Sequence, residues 1–193
     1  GVLSPSSQAG LLDKQAAHRR KLLGLAARGQ DLEVLNRQAA ALICANGLAV
    51  RSNDRVGRYI EAGVDIPAGS VVMLLPPNLL LWEDEVQDFN RCLQVGAVGE
   101  GEHRDRLFSS SLSEMDLDNF LCHSCEPNCT VEISHDWTAA LVAKRDIAKG
   151  EGVSFDYDST EDDLRDDRGG FDCHCGAPAC RGVVLGRLFA SEP

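Results

Sequence analysis

Eight cysteines in 193 residues are the first place to look for chemistry. Cys122, Cys125 and Cys129 form one cluster and Cys173, Cys175 and Cys180 another, while Cys44 and Cys92 stand alone. The second cluster has the spacing C-x-C-x4-C. Such close cysteines pair poorly as a disulfide, because bridged Cα atoms need a particular separation and direction. Three thiolates suit zinc, which takes four soft ligands in a tetrahedron. His174, Cys125 and Cys129 are the candidates for the fourth ligand. A tail of roughly 20 residues with no core of its own needs such a staple. The plainer alternative is three stray or buried thiols. The chain opens Gly1-Val2-Leu3, without a basic region followed by an apolar stretch, so no secretory signal is expected. Clustered cysteines in a non-secreted chain point to a metal before they point to disulfides.

Two other runs carry possible chemistry. The first is Asn119-Phe120-Leu121-Cys122-His123-Ser124-Cys125-Glu126-Pro127-Asn128-Cys129. The second, one hairpin later, is Gly150-Glu151-Gly152-Val153-Ser154-Phe155-Asp156-Tyr157. In this order, and followed by the cysteine tail, they resemble the SET-domain protein-lysine methyltransferases that carry a post-SET zinc motif. Gly57-Arg58-Tyr59-Ile60-Glu61-Ala62, ahead of Asp65-Ile66-Pro67-Ala68-Gly69, fits the family's first motif at the expected place. The resemblance covers about residues 48–184.

The resemblance implies a fold and a site. The fold would be a SET-type arrangement of short strands with a knot-like core joining a methyl-donor site to a narrow lysine channel. Tyr157 matches the catalytic tyrosine. Cys122 and His123 match the pair that contacts S-adenosylmethionine. Gly57, Arg58 and Tyr59 match the donor-binding loop, and Tyr157 also faces the donor. Cys125 matches the cysteine that joins Cys173, Cys175 and Cys180 on zinc, with Cys129 as second choice. The chemistry is coherent. Methyl transfer needs a neutral amine, yet a lysine with a reference pKa near 10.4 is neutral only about one time in a thousand at roughly pH 7.5. A nearby sulfonium and desolvation both lower that pKa. A tyrosine hydroxyl and backbone carbonyls can orient the lone pair, so much of the gain is alignment. The plainer reading of Tyr157 is a half-buried aromatic at a strand end.

Two positions depart from the family pattern. Tyr59 stands where a second glycine is usual, and glycine lets backbone approach a ligand closely. Cys122 stands where asparagine is usual, exchanging two donors and an acceptor for one weak donor. A lost hydrogen bond costs about 1 kcal/mol, so weakened donor affinity is expected. These departures motivate the alternative function: a catalytically inactive SET module acting as a peptide-binding or scaffold domain. A third reading keeps only a zinc-stapled interaction domain.

The elements that would position these residues follow from periodicity and turn chemistry. Residues 1–47 read as a helical extension. One helix is expected over about 8–27. A second starts at the N-cap Asp31, carries Leu32, Leu35, Ala39, Leu42 and Ile43 at helical spacing and stops at Gly47. Lys14, Arg19, Arg20, Lys21 and Arg28 against Asp13 give residues 1–30 the acid-poor look of an organelle transit peptide, with a solvated helix face preferred. Residues 48–158 break into short apolar runs, with strands expected over 48–51, 70–75, 92–95, 130–133, 139–144 and 152–155. One helical stretch is expected over 81–89 and a short turn over 119–122. Residues 159–172 read as an acidic linker that is mobile by itself, and 173–193 as a post-SET zinc-binding tail. The class is mainly β, a β-rich α+β fold.

Composition limits the partners. Thirty acidic against 19 basic residues give a net charge of −11, which disfavours direct nucleic-acid binding and favours a basic protein or peptide, histone-like among them. Glu83, Asp84, Glu85 and Asp88 could face such a peptide, or simply water. The longest apolar run is cut by Pro76, Pro77 and Asn78, so no membrane span is expected. The expected location is intracellular, in the nucleus or cytoplasm, with an organelle also open.

Overall fold

The computed structural model describes residues 47–75, 79–99, 105–111, 116–135, 137–165 and 170–190. The helices expected over residues 1–47 and Cys44 lie outside the described residues, apart from Gly47, which has φ +59°. Strand β1, Ala49–Asn53, turns back into β2, Gly57–Glu61, as an antiparallel hairpin. The turn is fixed locally: the Asn53 side-chain carbonyl accepts the Arg55 and Val56 amides at 3.0 and 2.9 Å, an Asx turn. Gly57 closes it at φ +71°, where a side chain would be strained.

β3 (Val71–Leu75), β8 (Cys129–Ile133) and β9 (Ala139–Ala143) form one antiparallel sheet in the order β3-β9-β8. The alternation along β9 is strict, with Ala139, Leu141 and Ala143 buried, as a strand with one face on the core requires. β4 (Leu79–Trp82), β5 (Cys92–Val98) and β6 (Asp105–Ser110) form a second antiparallel sheet with β6 in the middle. β7 (Cys122–His123) runs parallel to β10 (Ser154–Phe155), and β11 (Phe171–Asp172) pairs with β12 (Val183–Val184). Among the described residues there is no α-helix, and none long and apolar enough to cross a membrane. The mainly β class expected from the sequence holds.

The core joins these pieces. Ile60, Val72, Met73, Phe120, Leu141, Ile147 and Phe155 pack in one cluster, with Ile60, Val72 and Leu141 fully buried. Burying each large aliphatic side chain contributes about 1.5–3 kcal/mol. Asn128 is the polar linchpin at 2% exposure. Its amide donates to Glu151 Oε1 and to the Gly152 carbonyl, and its carbonyl accepts from the Ser154 amide. All of its main hydrogen-bonding capacity is used, as burial demands.

Two expectations are corrected here. The stretch 81–89 is not a helix. Leu79–Trp82 pairs with β6, from Leu79 opposite Ser110 to Trp82 opposite Leu107, so its backbone is committed to a sheet. The acidic residues after it form a single 3-10 turn, Glu83–Glu85, with the Trp82 amide donating to Glu85 Oε2 at 2.8 Å. The part of the acidic stretch over residues 158–165 is also not a loose segment. Thr160, Glu161 and Asp162 are buried. The tail lies along them, with Leu164 N–H on Leu185 O, Arg187 N–H on Glu161 O and Leu188 N–H on Asp162 O. Gly186 permits this approach, since a Cβ there would meet Asp162 O at 2.7 Å. The Arg187 guanidinium answers the buried Asp162 carboxylate, so burial is met by pairing.

Candidate functional site

The parallel pairing of β7 with β10 brings residues 122–123 beside 154–155, and with them His123 beside Tyr157. A 3-10 turn, Tyr157–Ser159, begins where β10 ends. The Tyr157 amide donates to His123 Nδ1 at 3.2 Å. That nitrogen is therefore an acceptor, and the imidazole proton sits on Nε2. Nε2 lies 3.3 Å from Cys125 Sγ and donates toward it. Burial lowers the His123 pKa and Asp156 opposes the shift, which favours the neutral ring. The His123, Phe155 and Phe171 rings surround Tyr157, with centroids 5.3, 4.9 and 5.8 Å away.

The Tyr157 hydroxyl donates to Leu121 O at 2.6 Å. Burial, then the neighbouring Cys122 and Glu161, push its pKa above the usual phenol range. The phenol is a fixed, neutral hydrogen-bonding group and not a phenolate nucleophile.

Tyr157 lines a cavity of about 680 Å³. Phe89, Phe108, Phe155 and Phe171 give it an aromatic wall, and Asp118 and Glu161 are on the same lining. Gly57, Arg58, Tyr59, Cys122 and His123 do not line it. Of these, His123 and Cys122 neighbour Tyr157. Cys122 Sγ lies 3.5 Å from Arg58 O, which links the first motif to the second. Burial raises the Cys122 thiol pKa, so it is a weak neutral donor. Gly57 and Arg58 are exposed, and nothing lies within 4 Å of a Cβ built at Gly57. The Tyr59 ring lies over Gly152, where a Cβ would meet its Cδ2 at 3.5 Å. The Arg58 guanidinium sits 4.7 Å above the Phe120 ring.

The cysteines separate cleanly. Cys125, Cys173, Cys175 and Cys180 offer sulfurs that all lie within 4.8 Å of one another. Cys125 and Cys173 are 3.8 Å apart. Four sulfurs around zinc, with Zn–S bonds near 2.3 Å, stand about 3.8 Å from each other, so the set fits that ion. Cys129 and His174 are outside this group. Cys129 is 1% exposed, and burial pushes its thiol up to about 12, the behaviour of a core cysteine. Burial raises the Cys175 thiol, but the Cys125 and Ala177 amides and the neighbouring thiols outweigh it, leaving about 6. One ligand is thus poised as thiolate, the form a metal takes.

Sequence reasoning missed the residue that ties this cluster to Tyr157. Arg181 follows Cys180 directly. Its amide donates to Cys125 Sγ at 3.3 Å, and its guanidinium bridges Asp156 (2.6 Å) and Asp158 (3.0 Å). Asp156 and Asp158 flank Tyr157 in the chain. Nothing local in the sequence marked Arg181, because its partners lie more than twenty residues upstream.

The SET domain family model matches residues 57–158. Histone-lysine N-methyltransferase trr of Drosophila melanogaster is 40% identical over 102 residues, covering 51% of this chain and 4% of the relative. Histone-lysine N-methyltransferase ATX2 of Arabidopsis thaliana is 34% identical over 94 residues, covering 45% of this chain and 8% of the relative. The chain thus spans less than a tenth of the length of these curated relatives. Among solved structures, Arabidopsis thaliana SUVH6 in complex with SAM superposes with a TM-score of 0.56 at 21% identity, covering 70% of this chain and 32% of that one.

Proposed function

The chain belongs to the SET-domain family, and from that membership we propose that it transfers a methyl group from S-adenosylmethionine to the side-chain amine of a lysine in a basic, histone-like protein. The observation that carries this reading is Tyr157. Its hydroxyl is held on Leu121 O, it walls an aromatic cavity, and His123 contacts its backbone. The alternative of an inactive module rested on Tyr59 and Cys122. The Tyr59 ring lies over Gly152, and the Cys122 thiol faces Arg58 O.

In this reading residues 48–158 carry the transfer and 173–193 the metal tail. The aromatic cavity receives the lysine, and Gly57, Arg58, Tyr59, Cys122 and His123 hold the donor on the other face of Tyr157. Exposed backbone at Gly57 suits a bulky nucleoside. When bound, S-adenosylmethionine supplies an electrophilic methyl group, and zinc on Cys125, Cys173, Cys175 and Cys180 supplies four bonds that fix the tail. The aromatic wall of Phe155, Tyr157 and Phe171 strips water from the incoming ammonium, which lowers its pKa. The fixed Tyr157 hydroxyl and Leu121 carbonyl then restrict where the amine can lie, so that the barrier falls mostly through alignment. The net charge of −11 favours encounter with basic chains, and a histone-like substrate implies work in the nucleus or cytoplasm.

The test is transfer from isotopically labelled S-adenosylmethionine to core histones by the zinc-loaded chain, with calorimetry of donor binding alongside. Label in a histone band, absent with Tyr157→Phe, is the expected result. No transfer and no donor binding at millimolar concentration overturns the reading.

A further inference from the structure

Glu161 and Asp118 are carboxyls on the cavity wall for which the reading above gives no task, and of the two Glu161 is the one held directly beside Tyr157. The turn after β10 brings it back beside Tyr157, with Glu161 N–H donating to Tyr157 O at 2.8 Å. The residue is only 9% exposed, yet it lines the cavity. Its Oε1 accepts the Gln94 amide at 2.9 Å and lies 3.3 Å from Thr160 Oγ1. Among the described residues, none donates to Oε2. The charged and titratable groups that face it are already engaged or neutral. Arg106 is held by Glu83 and by Asp163 O, Asp162 by Arg187, and Cys92 and Tyr157 both have raised pKa values. Burial pushes the Glu161 pKa up to about 7, against the Gln94 and Thr160 hydrogen bonds that lower it.

We propose that the Glu161 carboxylate meets the substrate lysine's ammonium in this cavity and takes one proton from it. The inference rests on the lysine-transfer reading. One N–H bond of the ammonium breaks and an O–H bond forms at Oε2. The freed electron pair stays on nitrogen as the nucleophile. The carboxylic acid returns its proton to water once product leaves. A carboxyl that titrates near neutrality is matched to this exchange. The competing role is structural, since Glu161 also anchors β5 through the Gln94 amide. Glu161→Gln separates the two. Its side-chain oxygen still accepts from Gln94 and its volume is unchanged, but it cannot take a proton.

The experiment is the pH–rate profile of the zinc-loaded chain on core histones, wild type against Glu161→Gln. Binding of a lysine-bearing histone-tail peptide and of its norleucine twin is followed by calorimetry. Wild type should show a rate limb near 7. The variant should lose that limb and about a hundredfold in kcat at neutral pH, recover as the amine deprotonates unaided at high pH, and bind the two peptides more equally. Wild-type turnover with a profile flat from about pH 6 to about pH 8, or a variant with the limb and kcat intact, overturns the inference and leaves the parent reading standing. A wild type that transfers no methyl overturns the parent reading and the inference with it. Peptide preference unchanged in the variant also counts against Glu161, even if the variant is too unstable for kinetics.

Discussion

Among the described residues the Tyr157 hydroxyl makes one hydrogen bond, to Leu121 O, while its ring is held on three sides by His123, Phe155 and Phe171. Tyr157→Phe removes only the first of these. Turnover should fall on the order of 10²–10³-fold, the typical loss of one positioned donor, while donor affinity by calorimetry stays close to wild type. A comparable loss of donor affinity would mean that the hydroxyl binds the donor and does not align the amine. Asn128 offers a structural counterpart. Asn128→Ala leaves the Ser154 amide and Gly152 carbonyl unanswered in a buried place, and should cost about 1–3 kcal/mol in urea unfolding. At this scale the sequence was informative where chemistry is written in spacing: the tail cysteines and Tyr157 stood out. Spacing alone left Cys125, Cys129 and His174 open as the fourth ligand; the family resemblance favoured Cys125, and the sulfur positions group it with the tail cysteines and leave Cys129 out. Glu161 and Arg181 were invisible. An acidic run reads as solvated until something packs on it, and an arginine's distant partners leave no local mark.

Among the elements, the strap formed by residues 171–184 leans on the cysteine cluster, while 185–190 are held on residues 161–164 by their own hydrogen bonds. Its own strands, β11 and β12, are two residues each, too short to persist alone. A chelator, or Cys175→Ser, should therefore release this strap while β3-β9-β8 stays folded. Amide exchange should rise at Phe171, Asp172 and Val184 and stay slow at Leu141. Uniform loosening of both regions would show that the cluster holds the whole fold. Arg181→Ala should loosen Tyr157 without metal loss, read as unchanged metal stoichiometry with faster exchange at the Tyr157 amide. The β8-β9 hairpin was readable because turn residues bracket apolar runs, whereas β2, polar at Gly57, Arg58 and Glu61, was not expected as a strand. β4 and β6 were not. The acidic residues after Trp82 imitate a helix face, and β6 offers only Leu107 and Phe108 as an apolar signal.

At the largest scale, the stability of the described residues rests on one cluster shared by several small sheets. Ile60 is at its centre with no exposure. Ile60→Ala should cost roughly 2–5 kcal/mol, visible as a lower urea midpoint. Asp118 adds a pH dependence. Burial, then Asp116, raise its pKa from 3.8 to about 6, while Arg91 partly opposes this. A carboxyl whose folded value is raised contributes stability fully below its unfolded value and loses it as pH climbs through the folded one. The urea midpoint should thus decline between about pH 4 and about pH 6 on this account, and Asp118→Asn should flatten the decline. An unchanged slope in the variant would assign it to other carboxyls.

The strap also sets an order of events during synthesis. Both sheets are complete in the chain before Phe171 and the three tail cysteines leave the ribosome. A nascent chain therefore has a packed body while its cleft still lacks the Phe171 wall and its Cys125 thiol still lacks the three tail sulfurs. With an ion on the four sulfurs, closure of this wall comes last, after both sheets have packed.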